Sequence, residues 1–159
     1  MPDLLVKLYN LPTDNNFVKT ISDTYGIEIK RALSLDKHLV LEFIKNNFNI
    51  NWVNECELSF AQHPIKTFVA IKDKKIIGFS CYDATCLGFF GPMGVTESER
   101  GKGIGKALLV KTLSSMREQG YGYSIIGWVE DAIEFYSKTV GATLIENSTP
   151  GIYRDMIEY

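Results

Sequence analysis

Met93-Gly94-Val95-Thr96-Glu97-Ser98-Glu99-Arg100-Gly101-Lys102-Gly103-Ile104-Gly105-Lys106-Ala107-Leu108-Leu109 passes from an apolar, strand-like start through a polar turn and a glycine-rich loop into a helix-forming run. Gly101, Gly103 and Gly105 let backbone approach a ligand where a Cβ would stand in the way. The helix that follows leaves its first N–H groups unpaired and carries partial positive charge at that end. Lys102 and Lys106 add full charges beside it. Free amides, glycines, a helix N-terminus and lysines together suit a phosphate or a pyrophosphate.

Three kinds of phosphate loop are separated by spacing. A Walker loop needs glycine at 100 and Ser or Thr at 107, where Arg100 and Ala107 stand, so a Mg-nucleotide site is disfavoured. A dinucleotide fingerprint needs glycine at 106, where Lys106 stands. What remains is Arg100-x-x-Gly103-x-Gly105 after an apolar strand, with Met93-x-Val95 before it and Ala107-Leu108-Leu109 after it. This resembles motif A of the GNAT acyl-CoA N-acyltransferases. The plain alternative is an ordinary glycine-rich strand-to-helix turn.

The resemblance implies an α/β (α+β) fold. It has a mixed, mostly antiparallel central sheet of six or seven strands and about four flanking helices. A V-shaped split lies between the fourth and fifth core strands. The cofactor it implies is acetyl-CoA, with no metal. Its pantetheine arm would lie in the split against the backbone of Met93 and Val95, because a splayed strand leaves amides and carbonyls for a ligand to satisfy. Its diphosphate would lie on Arg100, Gly101, Lys102, Gly103, Ile104, Gly105 and Lys106.

The chain has 159 residues, about one domain by length. It is read as a single acyl-CoA N-acyltransferase domain over 1–159, with 1–26 a possible N-terminal extension. Its 45% hydrophobic and 23% charged residues are ordinary for a globular protein, and a net charge of −2 gives no attraction to nucleic acid or membrane. No apolar run is long enough to cross a bilayer. Met1-Pro2-Asp3 lacks the basic start of a secretory signal, which predicts a cytoplasmic protein. Cys56, Cys81 and Cys86 have no metal-type spacing and read as reduced thiols.

Along the chain, Leu4 to Tyr9 reads as a short strand, an addition to the family core or an edge strand, broken by turn chemistry at residues 11–16. Phe17, Val18 and Ile21 suggest a short helix ending near Gly26. Ile27 to Leu33 alternates as a half-buried strand. Ser34 reads as an N-cap for a helix over 35–48, and residues 52–61 as a second helix. In the family two such helices wall the acceptor, so Phe48, Trp52, Glu55 and Glu57 are candidates there; packing and a solvated face are the plain readings. Residues 67–71 and 76–83 read as a hairpin, and 86–95 as its neighbour, with Gly91-Pro92 and Gly94 predicting a bulge. A helix over 103–119 follows, then a strand over 123–129 read as buried on both faces. Asp131 is placed as N-cap of a helix over 132–139, ahead of two final strands at 142–145 and 152–157.

Ala132-Ile133-Glu134-Phe135-Tyr136-Ser137-Lys138-x-x-Gly141 is similar to the family's second signature, with one extra residue before the glycine. By that resemblance Tyr136 is the general acid for the departing thiolate, a role its high pKa permits because a phenol stays protonated at neutral pH. The alternative is an aromatic that only packs. Val129 stands where the family often has Asn, and Ala142 where Phe is usual. Relatives often carry an acidic base on the strand before the loop. Leu87 to Pro92 has none, which leaves Asp83, Glu130 and Asp131 as the nearest acids by chain position, or water. The backbone N–H of Val95 is the expected oxyanion contact.

The function that follows is transfer of an acetyl group from acetyl-CoA to a primary amine on a small molecule or peptide, by direct attack. The alternatives are a catalytically silent acyl-CoA-binding sensor and a different phosphate binder. No nucleic-acid or membrane partner is expected, and a homodimer is possible.

Overall fold

Alternating inward side chains and short turns set up a seven-stranded sheet. The computed structural model describes residues 1–12 and 16–158, so residues 13–15 of the predicted first turn lie outside the described ones. The strands are β1 (Leu4–Lys7), β2 (Ile27–Arg31), β3 (Thr67–Lys72), β4 (Lys75–Tyr82), β5 (Phe89–Val95), β6 (Tyr123–Ile126) and β7 (Thr143–Leu144). The helices are α1 (Asn16–Tyr25), α2 (Lys37–Asn47), α3 (Ile50–Phe60), α4 (Ile104–Glu118) and α5 (Ile133–Val140). Sheet order is β2-β3-β4-β5-β6-β1-β7. All pairs are antiparallel except β5 with β6.

The sheet has a core on each face. Phe68, Ala70, Ile77, Tyr82, Phe90 and Ile126 point toward α1, α4 and α5, where Leu108, Leu109, Leu113 and Met116 of α4 are buried among them. Val69, Phe79 and Cys81 point the other way, against Val40, Phe43 and Ile44 of α2 and Cys56 of α3. The switch from one face to the other at each successive residue is the pleat of the strand. The hairpin between β3 and β4 turns on Asp73 and Lys74, both at positive φ (50° and 62°), the backbone that a tight two-residue turn requires.

Three details depart from the sequence reading. β1 is not an edge strand. It lies between β6 and β7, with Leu4 opposite both Ile126 and Leu144. Leu4 and Val6, both fully buried, supply the apolar face that earns it this interior position. Residues 152–157 form no strand: Gly151–Tyr153 is a short 3-10 turn, and Ile157 is 97% exposed. The side of β6 away from β5 is taken by β1, with β7 beyond it. The capping residues also move. Asp36, rather than Ser34, caps the approach to α2 by accepting the Leu33 N–H at 2.7 Å, and α5 starts from Ala132 with no side-chain cap from Asp131.

β5 and β6 are paired only at Phe89↔Ile125 and Phe90↔Ile126. Beyond that point they part. On the β5 side the register against β4 shifts between Ser80 and Tyr82, which places one extra residue of β5 at Gly91-Pro92, the predicted bulge. On the β6 side the chain stays with the N-terminal segment, since Val129 N–H donates to the Pro2 carbonyl at 2.9 Å. Trp128 adopts φ +54° and is 43% exposed, so the expected strand over 123–129 is ordered as sheet only to Ile126. The result is the V-shaped opening.

Candidate active site

The opening is lined by backbone on its β5 side. Thr96 N–H donates to the Ile77 carbonyl of β4 at 2.9 Å. Amides alternate direction along a strand, so those of Val95 and Met93 face away from β4 and into the gap. Gly94 between them has no Cβ, and the Phe48 ring lies flat against the space a Cβ would fill. Phe48 in turn packs on Trp52 (5.0 Å between centroids) and Phe79 (5.8 Å), so both α2–α3 aromatics serve as wall and packing.

The gap leads to the glycine loop. Gly101 and Gly103 sit at φ +82° and +83°, backbone that favours glycine, and Gly103 immediately precedes α4. The first intrahelical bond is Ala107 N–H to the Gly103 carbonyl at 3.1 Å. Among the described residues the amides from Gly101 to Lys106 donate to no backbone or side-chain acceptor. A Cβ on Gly101 would meet nothing within 4 Å, so the loop is open rather than plugged by its own side chains. A Cβ at Gly105 would touch only Phe135 and Met93, near 4 Å, which places the start of α4 beside both β5 and α5.

Two of the expected cationic contacts are turned elsewhere. Arg100 Nε donates to the Val95 carbonyl at 3.1 Å, tying the loop back to β5. The Lys102 ammonium is bonded to Glu99, which Lys72 also approaches at 3.5 Å, and it lies over the Tyr25 ring. The Glu99 hydrogen bond raises the Lys102 pKa. Lys106 is exposed and makes no ion pair among the described residues.

Tyr136 stands on α5 with its ring edge-on to Phe90 (6.3 Å) and Phe135 (5.1 Å). Burial pushes its phenol up to about 12. Its hydroxyl makes no hydrogen bond among the described residues, yet it is not sealed from solvent. Tyr136 therefore holds its proton at any physiological pH, beside the strand where the split begins. The extra residue before Gly141 is taken up by α5, which runs to Val140 and ends on Gly141 at φ +67°.

The acids sort differently from their order in sequence. Asp83 is buried, pairs with Lys66 at 2.5 Å, accepts from Gly88 N–H at 2.7 Å and bonds Tyr121. It is a structural clamp on the β4–β5 loop, with both carboxylate oxygens engaged. Glu130 and Asp131 are exposed in the loop before α5, and Glu57 is exposed and pairs with Lys37 at 3.5 Å. Glu55 is half-buried: its Oε1 accepts from Thr85 Oγ1 at 2.5 Å, and burial raises its pKa. Tyr153, which carried no motif, packs on Trp128 at 4.6 Å, and its hydroxyl lies 2.5 Å from where a Gly127 Cβ would be. Asp3 joins these parts. Its carboxylate accepts Trp128 N–H at 2.9 Å, its own N–H donates to Ser148 Oγ at 2.8 Å, and its carbonyl accepts Ile145 N–H at 2.9 Å.

Residues 63–139 match the model of the acetyltransferase (GNAT) domain, and the split sheet has the GNAT fold. Among solved structures, the chain is similar to a GCN5-related glucosamine N-acetyltransferase region of a fungal multi-domain β-N-acetylglucosaminidase (TM-score 0.74, 19% identity, 91% of this chain and 19% of that one). It is also similar to a GCN5-related N-acetyltransferase from Sphaerobacter thermophilus (TM-score 0.70, 18% identity, 91% and 48%). A third is an aminoglycoside acetyltransferase from an uncultured soil metagenomic sample, in complex with trehalose (TM-score 0.54, 21% identity, 75% and 89%). The chain spans about a fifth and about half of the first two. No curated protein matches the sequence.

Proposed function

We propose that the protein transfers an acetyl group from acetyl-CoA to the primary amine of an acceptor. One observation carries this: a gap that begins at Phe90 and Ile126, passes the inward amides of Met93 and Val95, and ends on the unpaired amides of residues 101–106. A diphosphate suits the loop because amides and the α4 dipole meet its charge without a Cβ in the way. Arg100 and Lys102, though engaged by Val95 and Glu99, stand close enough to turn onto it. The pantetheine arm is a chain of amides, and it would pair along β5 as an added strand.

With the thioester in the gap, the neutral amine attacks the carbonyl carbon. The Val95 N–H faces the oxyanion that forms, and a fixed donor there favours the transition state over the planar thioester. The C–S bond then breaks and Tyr136 protonates the sulfur. The proton lost from nitrogen in the tetrahedral intermediate restores the phenol. Positioning the amine and the thioester in one cleft supplies much of the remaining rate.

The test is thiol release from acetyl-CoA with a panel of primary amines; neighbours named for glucosamine and aminoglycosides place amino sugars on that panel. Amine-dependent release with 1:1 acetyl-amine formation is the expected result. Tight acetyl-CoA binding with no release from any amine would make the protein a binding module instead.

A further inference from the structure

The two outer strands of the sheet are unequal. β7 is two residues long, whereas β2 presents an edge of five. β2 pairs with β3 in unbroken register from Ile27↔Lys72 to Arg31↔Phe68, and neither a proline nor a bulge blunts its outer side. Ala32 N–H donates to the Thr67 carbonyl at 2.8 Å, so the Ala32 backbone faces β3. Backbone direction alternates along an antiparallel strand. Glu28 and Lys30 therefore also bond β3, and the N–H and C=O groups of Ile27, Ile29 and Arg31 point to the free edge. Among the described residues no backbone or side-chain group pairs with these edge groups.

The open length has definite limits. Leu33 N–H, the next outward group, is taken at 2.7 Å by the Asp36 carboxylate, which also holds Lys30 at 2.7 Å. On the other side α1 ends at Tyr25, just before the strand. Exposed apolar side chains stand at both ends: Tyr25 (38%) before β2, and Leu33 (56%) and Leu35 (87%) after it.

The charges on β2 select what can extend it. A second copy pairing antiparallel must set outward residues opposite outward residues, and three registers use more than one of them per copy. Ile27 opposite Ile29 of the partner subunit puts Glu28 against Glu28. Ile29 opposite Arg31 of the partner subunit puts Lys30 against Lys30. Like charges facing each other across strands are destabilising. In the third register Ile29 faces its own copy, Ile27 faces Arg31, and Glu28 faces Lys30, twice by symmetry. Two bonds at each of three residue pairs, six in all, then satisfy the whole open edge. Glu28 accepts from the Ser22 hydroxyl at 2.7 Å but has no cation among the described residues of its own chain; this register supplies one.

We propose that the protein forms a two-fold dimer through β2, with Ile29 of each copy on the axis and the two seven-stranded sheets running on as one. The same symmetry brings Tyr25 of each copy to the Leu33 end of the other, which adds apolar area to a backbone seam too short to hold a dimer by itself. A self-complementary contact of this kind closes at two copies. The dimer does not depend on the acetyl-transfer chemistry.

Sedimentation equilibrium of the full chain over about 1–200 µM should follow a monomer–dimer equilibrium rising toward twice 17.9 kDa. Glu28→Lys lines the seam with lysines alone and Lys30→Glu with glutamates alone, and each should weaken self-association at least tenfold. An equal mixture of the two variants should recover association to within about threefold of the wild type, because each then meets opposite charge. The double variant Glu28→Lys/Lys30→Glu, with the charges exchanged, should do the same. Melting curves show that each variant is folded. A wild type that stays monomeric throughout overturns the dimer. A dimer that neither single variant weakens, or folded variants that neither mixing nor the double exchange restores, overturns its assignment to β2.

Discussion

The part of the split around Tyr136 and the part around Tyr153 are assembled on different plans. The first comes from one short run of chain: strand β5, the glycine loop and the start of α4 are contiguous, and only α5 arrives from elsewhere. The second is gathered from Asp3, Gly127, Trp128 and Tyr153, spread over nearly the whole length. A contiguous site is set by local rules of turn and helix, and it varies little once the loop has formed. A gathered site depends on side chains that local rules leave free, so its chemistry belongs to this particular chain.

Four substitutions press on that contrast. The largest effect is expected at Asp83→Ala. It leaves the Lys66 charge buried without its partner, a loss of about 3–5 kcal/mol, and frees the loop that carries Thr85. Chemical denaturation should read that loss. Next is Tyr136→Phe, expected to lower kcat about 100-fold as a lost general acid does, while acetyl-CoA affinity holds. Because its phenol lies near 12, the wild-type rate should show no falling limb from this group up to pH 10. An unchanged kcat would reduce Tyr136 to packing.

Asp3→Ala should cost about 1–3 kcal/mol by leaving the Trp128 N–H without its acceptor, and it should leave acetyl-CoA binding unchanged. Chemical denaturation and titration with acetyl-CoA check this. The smallest effect concerns Glu55. Its folded pKa is raised by burial, so its ionisation favours the unfolded chain: the stability present with the carboxyl protonated is lost as pH rises through the folded pKa. Glu55→Gln should accordingly melt above the wild type at pH 8, and the difference should vanish below pH about 4. Melting curves across pH settle the sign.

Legibility in the sequence followed the same division. The bulge at Gly91-Pro92, the α4 boundaries and the helix that carries Tyr136 were readable because each rests on neighbours in the chain, whereas the split was implied by the resemblance. The position of β1 was not, since its partners Ile126 and Leu144 lie more than a hundred residues away and Leu4-Leu5-Val6 fits any sheet edge. The false strand at 152–157 has a related cause: its apolar residues suit a strand, but the side of β6 away from β5 is taken by β1. Glu55 was visible as one of two acids on α3, both candidates for the acceptor wall by resemblance. What distinguishes it from Glu57, two residues away, is burial against Thr85, and burial is a property of the folded chain. Asp83 misled in the opposite sense, close to the site in sequence but consumed by Lys66, Tyr121 and Gly88.

The central claim is that the amides opening α4 hold the diphosphate of coenzyme A, and titration calorimetry with CoA tests it most directly. Gly103 lies at φ +83°, so Gly103→Asn serves as the control for backbone strain and Gly103→Asp adds a carboxylate to the same backbone. CoA should bind the wild type and the Asn variant with Kd values within about threefold of each other, and the Asp variant at least 100-fold more weakly, since like charges set together cost several kcal/mol. Equal affinity for all three proteins would contradict the account.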